Sequence, residues 1–107
     1  MAKNESYKEN NRKMKQIIDT NKSIDTVFEL FKNSSFSNLG AKPFCSGYLY
    51  LDDGYGRNDY VDFTIEVKHN KVIVSMLKKD IPHYWQWQFD YIFDDVMEKV
   101  NGALEID

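Results

Sequence analysis

The sequence predicts a single α+β domain spanning residues 1–107, a two-layer sandwich in the order α-β-β-β-α. Its sheet is expected to be a three-stranded antiparallel meander with both helices packed on one face. Three observations carry this. Residues 82–104 hold an apolar stripe at helical spacing. Residues 44–51, 60–67 and 72–77 alternate apolar and polar side chains at the strand period of two. The connections between these strands are short enough for hairpins, which makes neighbours antiparallel. Two helix stripes and one apolar sheet face then close a two-layer core.

Residues 1–10 are polar and aperiodic and are expected to fray. Over residues 6–32, Met14, Ile17, Ile24, Phe28 and Phe31 recur at three- and four-residue steps, which predicts a helix. Asn21 falls into that stripe, so one long helix or two helices broken at residues 20–23 both fit. In the broken form Ser23 is the N-cap and Asp25 lies in the first turn. Residues 33–43 are rich in Ser, Asn and Gly and read as a loop, pinned by Phe36 and Leu39.

In the first strand Cys45, Leu49 and Leu51 share one face, and Tyr48 and Tyr50 the other. Residues 52–59 form a turn with two glycines and three aspartates. In the second strand Val61, Phe63, Ile65 and Val67 point inward, and Tyr60, Asp62, Thr64 and Glu66 outward. Residues 68–71 make a tight turn in which Asn70 can adopt positive φ. Val72, Val74 and Met76 define the inner face of the third strand. The last helix is expected from Pro82, capped by Asp80 or Ile81.

The net charge of −3 is unevenly distributed. Residues 1–42 carry eight basic and five acidic groups, and residues 43–107 carry six and twelve, a balance of +3 against −6. The acidic part repels phosphates and attracts basic partners. Cys45 is the one cysteine, so no internal disulfide forms, which fits a reducing compartment. No apolar run reaches the roughly 18 residues of a membrane span. The polar N-terminal segment lacks the apolar core of a signal peptide. A cytoplasmic protein is expected.

Chemistry-bearing motifs are sparse. Gly54-Tyr55-Gly56 lacks the third glycine and the following helix of a nucleotide-binding loop. Cys45 has only His69 and His83 as prospective bases, on other elements. Asp52, Asp53, Asp59 and Asp62 lack the spacing of a calcium loop and read as an acidic turn. No catalytic, metal or cofactor-binding residues are assigned, and an enzyme is the less favoured class.

The informative surface is on the last helix. Trp85, Phe89, Ile92, Phe93, Val96, Val100 and Ala103 complete an apolar stripe without Trp87. The opposite face collects Trp87, Asp90, Tyr91, Asp94, Asp95 and Glu98. Solvated faces seldom carry Trp and Tyr, which are the residues that dominate binding energy at interfaces. Tyr48, Tyr50 and Asp62 repeat this chemistry on the sheet. The expected activity is binding and inhibition of a protein with a basic surface, such as a nuclease or nucleoprotein complex, by carboxylates that imitate phosphates.

In size, charge and aromatic content the chain resembles phage anti-CRISPR and anti-restriction inhibitors and the immunity proteins of toxin nucleases. That resemblance implies partner binding without catalysis. The alternative is a single-strand nucleic-acid binder that stacks bases on Tyr48, Tyr50 and Tyr60. Asp62 and Glu66 on the same face oppose it. A homodimer through a free strand edge is compatible with either reading.

Overall fold

The computed structural model describes residues 12–34, 36–38 and 43–105. The elements are β1 (Lys13–Asp19), α1 (Ile24–Asn33), β2 (Ser37–Asn38), β3 (Phe44–Asp52), β4 (Asn58–Lys68), β5 (Lys71–Leu77) and α2 (Phe89–Glu105). The strands form one antiparallel sheet in the order β1-β5-β4-β3-β2. The chain is α+β, and the β3-β4-β5 meander lies where alternation puts it. The fraying expected for residues 1–10 and the contact expected of Leu39 fall outside the described residues.

The N-terminal part corrects the expected order. Residues 13–19 form an edge strand rather than the start of a helix, so the sheet has more than three strands and the described residues begin β-α. All of β1 pairs with β5, from Lys13 opposite Leu77 to Asp19 opposite Lys71. Met14 and Ile18 thereby extend the inner apolar face, half-buried against the core. Met14 and Ile17 mimic a helical step, but Met14 and Ile18 equally fit a strand of period two. The vacant edge of β5, far along the chain, decides between them. Neither the continuous helix nor the helix broken at residues 20–23 forms: the strand gives way to a turn in which Thr20 Oγ1 accepts from the Lys22 N–H at 3.1 Å, and α1 starts after Ser23. Ser23 is its N-cap, accepting from the Thr26 N–H at 3.2 Å. The expected loop over residues 33–43 also contains β2, which pairs with Ser46 and Cys45.

Both helices cover one sheet face. Val27, Phe28 and Phe31 of α1 and Phe89, Ile92, Phe93, Val96 and Val100 of α2 join Val61, Phe63, Ile65, Val67, Val72 and Val74 in one buried cluster. Phe36 is buried between Phe31 and Phe63, at centroid separations of 5.1 and 5.8 Å. Cys45 is buried there too, as a core side chain, and burial pushes its thiol up to about 11. The tight β4–β5 turn places Asn70 at φ 64°, the left-handed region that asparagine tolerates.

The approach to α2 differs from a helix starting at Pro82. Lys78–Asp80 form a short 3-10 turn, Ile81 is buried, and His83–Gln88 form a second 3-10 segment before α2 begins at Phe89. Neither Asp80 nor Ile81 caps α2. Tertiary bonds impose the tighter winding. The Trp85 indole N–H donates to Asp59 Oδ2 at 2.6 Å, and the Tyr84 hydroxyl donates to Asp53 Oδ2. The Gln86 side chain donates to the Ile81 carbonyl at 3.0 Å. The Tyr84 and Trp85 bonds clamp the segment onto the β3–β4 turn and the start of β4.

The aspartates of that turn are structural. Asp52 Oδ1 accepts from the Gly54 N–H, and Asp53 Oδ1 accepts from the N–H groups of Tyr55 and Arg57. Gly54 and Gly56 supply positive φ, at 78° and 100°. Arg57 lies 4.7 Å above the Tyr84 ring and pairs with Asp59 at 3.3 Å.

The Tyr84 hydroxyl, followed by the backbone donors, holds the Asp53 carboxyl below its usual 3.8. A carboxyl depressed in the folded state stabilises the fold above its unfolded pKa, and this contribution disappears as pH falls through the folded value. Acid unfolding of the wild type is therefore expected to steepen below about pH 4, and Tyr84→Phe should flatten that limb. Thermal melts of both proteins across this range check it, and identical acid limbs would refute the clamp's contribution.

Candidate functional site

At about 100° per residue, the α2 surface divides cleanly. Phe89, Ile92, Phe93, Val96, Met97, Val100, Ala103 and Leu104 are buried. Asp90, Tyr91, Asp94, Asp95 and Glu98 are exposed on the other side. Trp87, in the 3-10 segment one turn before Tyr91, is 75% exposed, and Tyr91 is 73% exposed. An exposure this large excludes packing of Trp87 beneath α1. The structure thus brings together on one convex surface every helix residue singled out from the sequence.

They are not equivalent. Asp90 lies at the flank nearest β1, where its carboxylate pairs with Arg12 at 2.7 Å. Arg12 also sits 5.5 Å above the Phe89 ring, so this ion pair ties the start of α2 to the start of β1. Asp90 is therefore partly a structural residue, a role its helical position does not reveal. Asp94, Asp95 and Glu98 make no ion pair with another described residue. Their charges face solvent. Lys99 closes the opposite flank: its ammonium donates to the Tyr48 carbonyl at 2.7 Å and lies 5.0 Å from the Tyr48 ring.

Tyr48, Tyr50 and Asp62 form a second, separate surface. They lie on the outer face of the sheet, opposite the helix layer, so they cannot contact one flat partner together with Trp87 and Tyr91. Tyr60 stands between the other tyrosines, with both centroid distances 5.2 Å, and is 66% exposed. Desolvation among these rings, with Asp52 and Tyr60 close by, raises the Tyr50 pKa above its ordinary value. Because β1 joins the sheet, Lys13 and Lys15 also reach this face. A depression of about 340 Å³ there is lined by Lys13, Lys15, Phe44, Asp62, Glu66 and Ile73. A helical assignment of residues 13–19 hides the position of Lys13 and Lys15 on this face, which follows only from the pairing of β1 with β5.

Among the described residues, no group of His, Cys, Asp and Glu side chains is placed to hold a metal ion. Among the same residues, no helix is long and apolar enough to cross a membrane. No protein family model, curated protein or solved structure matches the chain. The functional reading therefore rests on these two surfaces.

Proposed function

We propose that the protein is a non-enzymatic binding protein that occupies and inhibits the basic surface of another protein through the outer face of α2. The observation that carries this reading is the exposure of Trp87 and Tyr91 beside Asp94, Asp95 and Glu98. An exposed indole and phenol next to carboxylates that have no ion-pair partner among the described residues combine desolvatable anchors with long-range attraction to cations. The carboxylates recur about once per helical turn, roughly 5.4 Å. A nucleic-acid strand presents a phosphate per roughly 3.4 Å of axis. The helix is a sparser line of charge, yet straight and rigid enough to lie along a Lys/Arg-lined channel. A cytoplasmic nuclease or nucleoprotein complex is the partner class that fits this chemistry.

The test is affinity capture of partners from nuclease-treated lysate, using wild type beside Trp87→Ala/Glu98→Lys, with circular dichroism confirming that both fold. A basic protein retained by wild type and lost by the variant is the expected result. Capture of the same proteins by both would remove α2 as the contact.

One observation favours a second reading. Lys13 and Lys15 share the outer sheet face with Tyr48, Tyr50 and Tyr60, a combination suited to stacking and neutralising single-stranded nucleic acid. Asp62 and Glu66 on that face act against it. Oligonucleotide binding that weakens steeply with salt would establish this activity, and no binding at low salt would exclude it.

A further inference from the structure

We infer that the β1 edge is a self-association surface, on which two copies pair their β1 strands antiparallel about a two-fold axis at Gln16. The backbone shows which groups are available. The Arg12 carbonyl accepts from the Lys78 N–H at 2.9 Å, and the Thr20 N–H donates to the Asn70 carbonyl at 3.1 Å. Even-numbered residues of β1 therefore bond to β5. The N–H and C=O groups of Lys13, Lys15, Ile17 and Asp19 point away from it, and no described strand lies beyond. Such a row is a template for pairing.

The opposite edge is guarded. β2 covers Ser46 and Cys45 of β3, and Lys99 occupies the Tyr48 carbonyl. The β1 edge has no comparable cover among the described residues.

The side chains of β1 select the occupant. A two-fold axis at Gln16 sets Lys15 opposite Ile17 of the second copy and Lys13 opposite Asp19 of the second copy. Each of these positions pairs residues whose backbone groups face outward on both strands, as an antiparallel ladder requires. The whole of β1 is used, and each end of the interface gains a cross-strand pair of opposite charge. Moving the register one way sets Lys15 against itself, and moving it the other way leaves Lys13 beyond the strand.

On the inner face Met14 meets Ile18 of the second copy. Both are only half-buried within one chain, and Ile18 borders a groove lined also by Asn101 and Leu104. Ile17 is 49% exposed and is covered by the aliphatic stem of the second copy's Lys15. An edge that is basic at one end and acidic at the other is complementary to its own two-fold image, which is why a second copy fits it better than a uniformly charged strand.

The experiment is analytical ultracentrifugation of the full chain over a wide concentration range. Wild type is expected to dimerise reversibly. Ile17→Pro removes an outward N–H and leaves the ladder to β5 intact, so it should yield a folded monomer. Lys13→Glu and Asp19→Lys should each weaken self-association by roughly tenfold or more, since like charges then face each other. Mixing these two variants should restore dimerisation as a heteromer, an outcome that misfolding of either cannot mimic. A wild type that stays monomeric throughout, or a dimer indifferent to the charge changes and their mixing, would overturn the proposal. Neither result bears on partner capture by α2.

Discussion

Gly47→Ala is expected to lower the unfolding free energy by about 2 kcal/mol, the usual cost of overpacking a filled core. Gly47 lies on the inner face of β3, opposite Phe63 on β4. A Cβ there would sit 2.5 Å from Phe63 Cζ and 3.1 Å from Phe36 Cδ1. Neither ring can retreat easily, because Phe36 is wedged between Phe31 and Phe63, and Phe63 is buried. The absent side chain is thus the socket into which the Phe63 ring fits. Its φ is not positive, so the requirement is space and not backbone freedom. Urea unfolding should show a lower midpoint at unchanged slope. Combining the change with Phe63→Leu should recover part of the loss, a non-additivity expected only when the two groups collide. A loss of unfolding free energy below about 0.5 kcal/mol would show that the strand moves to accommodate the methyl group.

The residues that could be read from the sequence are those whose environment is set by their own element. The stripe from Trp85 to Leu104 is legible because one helix face meets one core. The alternation of Val61, Phe63, Ile65 and Val67 is legible because β4 has one buried and one open face. Ser23 and Asn70 announce themselves through local backbone chemistry, a cap and a left-handed turn residue.

What stayed hidden depends on partners distant in sequence. β1 is a strand because β5 offers it an edge, and nothing between residues 13 and 19 states this locally. Gly47 looks like a weak point in a strand until Phe63 is set against it. Asp90 reads as a member of an exposed acidic-aromatic face, yet its carboxylate holds Arg12, and nothing local to Tyr84 states that its hydroxyl holds the β3–β4 turn. The exposure of Trp87 and Tyr91 was legible for the opposite reason. The buried stripe of α2 was already complete without them, and a surplus aromatic on a filled helix has only solvent or a partner to face.

Trp87→Ala is expected to weaken binding of the α2 partner by about 2 kcal/mol or more, roughly thirtyfold, the range of an interface anchor. Its effect on folding should stay within about 0.5 kcal/mol, because the indole contributes little to the monomer's core. That separation of effects distinguishes a contact residue from a structural one. Trp85→Ala should do the reverse through the buried ring and the bond to Asp59. Glu98→Lys reports on the electrostatic part: it should slow association and reduce the salt dependence of the rate, with a smaller effect on dissociation. Asp90→Ala provides the internal contrast. Its exposed pair with Arg12 is worth no more than about 1 kcal/mol to the fold. Its removal should disturb the tie between β1 and α2 more than the partner's grip, since Arg12 already neutralises that carboxylate. Surface plasmon resonance against the captured partner, alongside thermal melts of each variant, measures both quantities. If Asp90→Ala weakened binding as much as Trp87→Ala, the contact would have to extend over the β1 flank, with Arg12 inside the interface instead of bordering it.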